Sequence, residues 1–203
     1  MKENPFPRKN FWTLFILFNL AALPALFFLN LNMDRMQKAS LEKSLPVYGT
    51  LRFFSLQDER GDVFGSEQMK NRLWVANFMF TSCPNECPAM NFKMSLLQDS
   101  LPAGTGLLSF SVDPAKDTPK VLAGYAGRFK ARKGLWFFLT GPKASIARVL
   151  EDCHFAKADD PLLHGLRLVL LDGQGKIRGY YDYSDEFLIK KLIQDIRLLK
   201  EKG

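Results

Sequence analysis

The alternation of apolar and polar positions divides this chain of 203 residues into an uncharged N-terminal run, a polar connector, and a series of short apolar and amphipathic stretches. Residues 11–31 carry no charge, and the first 19 of them would reach roughly 28 Å as a helix, about the thickness of a bilayer's hydrocarbon core. Residues 32–45 are polar and predict a linker. Two apolar stretches, 51–56 and 62–64, flank the turn-rich Gln57-Asp58-Glu59-Arg60-Gly61 and predict a β-hairpin. Residues 73–80, 107–112, 135–139 and 166–171 are short continuous apolar runs suited to buried strands. Between them the spacing becomes helical. Met90, Met94, Leu97 and Leu101 follow Pro88. Leu122, Tyr125, Ala126 and Phe129 form a stripe in a helix over 118–132, capped by Thr118 with Pro119 first, and another helix is expected over 142–153. Asp172-Gly173-Gln174-Gly175 turns the chain into a strand over 177–183. Ser184 or Asp185 then caps a last helix with Phe187, Leu188, Leu192, Ile196 and Leu199 as its apolar positions.

Strands alternating with helices imply parallel crossovers in a layered α/β domain, and the late hairpin adds an antiparallel edge. Cys83 and Cys87 lie at the outlet of the first central strand, where a helix begins. That is the thioredoxin-like arrangement. The expected architecture is therefore a thioredoxin-like α/β fold: a central mixed sheet flanked by helices, with an N-terminal β-hairpin, behind a single transmembrane helix.

The net charge of +7 is spread along the chain with no basic stripe of interleaved aromatics, which argues against a nucleic-acid partner. Lys2, Arg8 and Lys9 precede the apolar run, so the N-terminus is expected in the cytoplasm and the remainder across the membrane. A cleaved signal peptide is the alternative, but the run exceeds a typical signal core and Ala21-Ala22-Leu23-Pro24-Ala25 is a poor cleavage site. The expected division is a cytoplasmic N-terminus (1–10), a membrane anchor (11–31), a linker (32–45) and a folded domain (46–203). No Ser- and Arg-rich transit segment precedes the anchor, which favours a bacterial inner membrane with the domain facing the periplasm.

In an oxidising compartment, three cysteines suggest one pair and one left over. Cys83 and Cys87 each precede a proline, which disfavours the α region, so both are expected in a loop with Pro88 as the first helical residue. Cys87 then falls beside the cap, where the helix dipole favours a thiolate. A third ligand would tip this pair from redox work toward metal. Of the two histidines, His164 is the better candidate, because the loop before the fourth central strand faces the cysteine loop in such a sheet. Two thiolates and an imidazole suit Cu(I). Cys153 is expected to be a buried thiol at a helix end, with His154 complementing that end's dipole. Met90 and Met94 are expected in the core, and Glu86 either tunes the loop's charge or is simply solvated.

Several separated pieces resemble the SCO/SenC copper-binding proteins involved in assembling cytochrome c oxidase. They are LPVYGTLRFFSLQDERGDVF, WVANFMFTSCPNECPAM, SVDPAKDTP, WFFLTG and LLHGLRLVLLDGQGKIRGYY, and the resemblance resting on them covers roughly residues 46–200. The resemblance implies copper, as Cu(I) or Cu(II), held by Cys83, Cys87 and His164, with Asp113 as a supporting carboxylate. Where family members usually carry Ser or Thr after the histidine, this chain has Gly165. The implied function is a membrane-anchored copper chaperone for a cytochrome c oxidase copper-binding subunit, with other copper chaperones or thiol reductases as further partners. The alternative is a thiol-disulfide oxidoreductase using Cys83 and Cys87 as its redox pair. A membrane scaffold with an inert structural disulfide is a third reading. A peroxidase is weaker still, since no Arg lies near Cys83.

Overall fold

The computed structural model describes residues 28, 32–33, 45–154 and 166–201. The chain divides into two compact units, Met1–Ser44 and Leu45–Gly203. The expected anchor over 11–31 lies almost wholly outside the described residues, among which no helix is long and apolar enough to cross a membrane. The second unit contains, in chain order, β1 (Gly49–Thr50), β2 (Ser55–Gln57), β3 (Val63–Gly65), α1 (Ser66–Met69), β4 (Leu73–Met79), α2 (Glu86–Ser100), β5 (Thr105–Ser111) and α3 (Pro119–Arg128). It continues with β6 (Trp136–Leu139), α4 (Lys143–Asp152), β7 (Arg167–Leu171), β8 (Lys176–Asp182) and α5 (Glu186–Lys200).

Six strands form one mixed sheet in the order β1-β8-β7-β4-β5-β6, and β2 and β3 pair as a separate antiparallel hairpin. β4, β5 and β6 are parallel, joined by the crossover helices that the sequence pattern predicts. β7 runs antiparallel to β4, and β8 to β7. The late hairpin is thus not the edge, as expected from sequence. It occupies the middle and flank of the sheet, and β1 covers it through the Gly49↔Ile177 and Thr50↔Lys176 pairs. A two-residue strand has no periodicity to read; it exists only because β8 presents an edge.

Alternation along β4 divides the core. Trp74, Ala76 and Phe78 pack on one face with Phe54, Leu56 and Phe64 of the hairpin region and Ile146 and Val149 of α4. Val75 and Met79 pack on the other with Met90, Met94 and Leu97 of α2, Leu122 and Tyr125 of α3, and Leu192 and Ile196 of α5. Burial on both faces is why the central strands read as unbroken apolar runs. Asn77 interrupts that rule on the helical face. Its Nδ2 donates to Asn91 Oδ1 of α2 (2.8 Å), and Asn91 Nδ2 donates to the Tyr125 hydroxyl of α3 (3.3 Å). Trp136 Nε1 donates to Ser109 Oγ (2.9 Å), which in turn donates to Asn91 Oδ1 (3.4 Å). Buried amides left unpaired would cost free energy, so this network fixes where α2 sits on the sheet.

Two helices depart from the sequence pattern, α3 in where it ends and α5 in which positions it buries. α3 stops at Arg128, not 132, because Lys130 takes a left-handed φ of 50° and the N–H groups of Lys130 and Ala131 return to Gly127 and Ala126. In α5 the buried positions are Ile189, Leu192, Asp195 and Ile196, whereas Phe187 is 73% exposed. Asp185 caps that helix through the N–H groups of Phe187 and Leu188, which places Phe187 on the outer side of the first turn.

Met94 has no exposure while Leu96, two residues on, is 49% exposed. Met94→Ala should cost about 2–5 kcal/mol in denaturant unfolding of the reduced protein. Leu96→Ala should stay within roughly 0.5 kcal/mol.

Candidate metal centre

β4 ends at Met79 and α2 begins at Glu86, so residues 80–85 form the cysteine loop. The loop turns tightly at its start, where the Cys83 N–H donates to Phe80 O (3.2 Å). Its anchor is Asp117, a fully buried residue just before the Thr118 cap of α3. The Asp117 carboxyl accepts from the Thr81 N–H (3.1 Å), from the Thr81 hydroxyl, and from Ser111 Oγ at the end of β5 (2.6 Å). Ser111 and Asp117 lie in the SVDPAKDTP piece, yet nothing in residue type or spacing distinguishes Asp117 from the other aspartate there.

That other aspartate, Asp113, is placed differently. Its carbonyl accepts the N–H groups of Lys116 and Asp117, and its N–H donates to Ser111 Oγ (3.2 Å), so its backbone shapes the turn that carries Asp117. Its carboxylate pairs with Lys116 at 3.3 Å. The carboxyl tied to the cysteine loop is that of Asp117.

α2 starts earlier than the prolines suggest. Asn85 is the N-cap and Glu86 the first helical residue, so Cys87 lies inside the first turn rather than in the loop. The first N–H groups of a helix have no intrahelical acceptor, so Pro88 costs no hydrogen bond at the third position. The α-region penalty on a residue before proline is met by a compensating bond, since the Cys87 N–H donates to Cys83 Sγ (3.4 Å). The sulfur of Cys83 thus takes the role that a Ser or Asp side chain plays at a helix cap.

This arrangement separates the two thiols. For Cys83, partial burial opposes ionisation, but the N–H groups of Cys87, Asn85 and Glu86 and the Cys87 thiol all favour the thiolate, and its pKa falls below the ordinary thiol value. Burial pushes Cys87 up to about 12, helped by its bond to the Cys83 sulfur and by the nearby charges of Cys83 and Asp117. Expecting the favoured thiolate at Cys87 therefore named the wrong sulfur. The helix terminus does stabilise a thiolate, but through N–H groups aimed back at Cys83. Both cysteines are free thiols, Cys83 half-buried and Cys87 buried. Glu86, between them, is exposed and accepts from the Tyr183 hydroxyl at the end of β8.

His164 lies outside the described residues. β7 starts at the end of the sheet where β4 stops, since Val169 pairs with Ala76 and Leu171 with Trp74. Among the described residues, no group of three His, Cys, Asp or Glu side chains is placed to hold a metal ion. Cys153 is fully buried at the C-cap of α4, its thiol pushed up to about 12 by burial. His154 follows in a left-handed conformation, with Nε2 3.2 Å from Tyr48 O. Met90 and Met94 are core residues, as their helical spacing predicts.

A mixed sheet with two thiols where its central strand meets a helix defines an α/β protein of thioredoxin-like architecture. The chain belongs to the SCO1/SenC family, whose model matches residues 47–201. Over 153 residues it is 29% identical to an SCO1 protein homolog of Bacillus subtilis (strain 168), covering 71% of this chain and 79% of that protein. Among solved structures it is similar to BsSco, a member of the Sco family of cytochrome c oxidase assembly proteins in which a disulfide switch has been identified. There the TM-score is 0.66 at 27% identity, over 76% of this chain and 96% of BsSco. Yeast Sco1 with copper bound has the same fold, with a TM-score of 0.60 at 22% identity over 75% of this chain and 94% of that one.

In the reduced, metal-free protein, iodoacetamide at pH ~7 should label Cys83 first, because the thiolate is the nucleophile. The labelling rate of Cys83 should rise through a pH range below that of an ordinary thiol, while Cys87, pushed up to about 12, stays protonated through that range. Equal early labelling of both, read by peptide mass spectrometry, would refute the asymmetry. Asp117→Ala strands the donors of Thr81 and Ser111 and should cost about 3 kcal/mol. Faster hydrogen exchange at the Thr81 amide is the accompanying sign.

Proposed function

We propose that this protein is a membrane-anchored copper chaperone that carries copper on Cys83, Cys87 and His164 and delivers it to a copper centre of cytochrome c oxidase during assembly. The observation that carries this reading is the pair of free thiols at the start of α2, with Cys83 already biased toward the thiolate and Cys87 one helical turn further on. Two sulfurs held this way are soft donors for Cu(I). Two residues separate His164 from Arg167, the first residue of β7, so His164 lies within roughly 10 Å of chain from the sheet end where the cysteine loop emerges. Copper bound to yeast Sco1 and the oxidase-assembly family of BsSco support the cargo and the destination.

Copper is the cargo here, and the chain's own residues control its loading. Binding displaces the remaining thiol protons, so affinity rises with pH until both sulfurs are ionised. Oxidising the pair to a disulfide removes two electrons and two protons and leaves no thiolate to coordinate, so redox state separates loaded from empty protein. Residues 11–31 anchor the chain and hold residues 46–203 on the periplasmic side of a bacterial inner membrane. The uncharged run and the cations before it are what support this placement.

Anaerobic Cu(I) titration of the reduced full chain in neutral detergent, against a chromogenic Cu(I) chelator, tests the reading. One equivalent should bind, binding should vanish in Cys83→Ser/Cys87→Ser, and His164→Ala should weaken it more than about tenfold. Undiminished binding by the double variant would sink the proposal. So would a protein that binds no copper yet turns over disulfide substrates independently of His164.

A further inference from the structure

At the end of the sheet opposite the cysteines, a cavity of about 620 Å³ opens between the start of β4, the β7–β8 turn and the last turn of α5. β4 is seven residues long, so the two ends stand about 20 Å apart. The cavity is lined by four cations, Arg72, Lys176, Arg178 and Lys200, against one carboxylate, Asp172. Asp172 is already satisfied. It pairs with Arg178 at 3.2 Å and accepts the N–H groups of Gln174 and Lys176. Among the described residues, none of the ion pairs includes Arg72, Lys176 or Lys200.

Arg72 is a half-buried cation whose partners are all uncharged. Its guanidinium lies 4.5 Å from the centre of the Trp74 ring and donates to Gly134 O (2.9 Å) and Thr105 O (3.2 Å). Burial lowers its pKa, as expected for a cation withdrawn from water with no anion beside it. The ring face and two carbonyls offset part of that cost and leave the net charge standing. Two glycines let the wall close up tightly. A Cβ on Gly173 would stand 2.7 Å from the Asn71 amide nitrogen, and one on Gly104 would stand 3.4 Å from Lys200 Nζ.

We infer that this cavity binds a phosphate group, carried by a small soluble ion or by the headgroup of an anionic lipid. A planar guanidinium and ammonium groups from separate elements suit an anion with several charged oxygens better than a single carboxylate. Arg178 also donates to Leu45 O at 3.1 Å, so the chain begins its folded unit at this wall. The site is independent of the copper reading, because it shares no residue with the cysteine loop.

The test uses the reduced full chain in neutral detergent at fixed ionic strength, with chloride as the control anion. Inorganic phosphate, followed by phosphorus NMR line broadening, should bind saturably. Lys176→Gln/Lys200→Gln should weaken it by about tenfold or more, and Cys83→Ser/Cys87→Ser should leave it unchanged. Arg72→Gln should weaken it likewise, and because Arg72 ties two carbonyls and Lys200 ties Ala103 O, Lys176→Gln alone, which should also weaken binding, keeps the test valid if those variants misfold. Short-chain phosphatidylglycerol below its micelle concentration separates the sources: binding at least about tenfold tighter than inorganic phosphate identifies a headgroup site, and binding no tighter identifies a soluble ion. Absence of saturable binding by either probe, or equal binding by the lysine variant, would overturn the inference.

Discussion

The carboxyl group of Asp117 accepts from the amide and hydroxyl of Thr81 and from the hydroxyl of Ser111, and being fully buried it has no water to share those donors with. Ser111 ends β5, Thr81 follows β4, and Asp117 precedes the cap of α3. One side chain therefore joins the carboxyl ends of two parallel strands to the start of a crossover helix. The cysteine loop leaves the sheet at Thr81, so its starting direction is fixed before either sulfur is reached. Asn91 fixes the other side of the loop, because its bonds to Asn77, Ser109 and Tyr125 set the height of α2 on the sheet. Between these two buried groups the loop has little freedom.

From that confinement follows the inequality of the two thiols. The first turn of α2 has N–H groups with no helical acceptor, and the loop brings Cys83 Sγ, not Cys87 Sγ, in front of them. Cys87 sits one turn on, pressed into the core beside Met90 and Val75. The same helix start that lowers one pKa buries the other sulfur. Two donors of equal chemistry thus differ, the outer thiol ionising more readily and the one behind it holding its proton.

The two ends of the sheet also differ in kind. At the carboxyl ends of the parallel strands the Asp113 and Asp117 carboxyls are met by Lys116, Thr81 and Ser111, beside the half-buried sulfur of Cys83. At the opposite end, cations gather around a cavity and their charge is only partly met. A twisted sheet about 20 Å long and packed on both faces separates them, so each can be altered without disturbing the other.

The class of fold was legible in the sequence because burial on both faces leaves unbroken apolar strands, and because Thr118-Pro119 and Asp185 are strong helix starts. The cysteine pair was legible for a related reason: two Cys-Pro steps beside a strand end have few other uses. Three things were not legible. β1 needed the edge of β8 before it could exist. Asp117 carries no local mark, since its role depends on Thr81, which lies 36 residues away. The cavity gathers Arg72, Lys176 and Lys200 from segments that are distant in the chain. Residue type and short-range period determined, by themselves, which segments are strands and helices and which atoms could do chemistry. Which sulfur becomes the thiolate, which aspartate holds the loop, and where the uncompensated charge collects were decided only by tertiary structure, because burial and hydrogen-bond partners across long separations are properties of the packed chain.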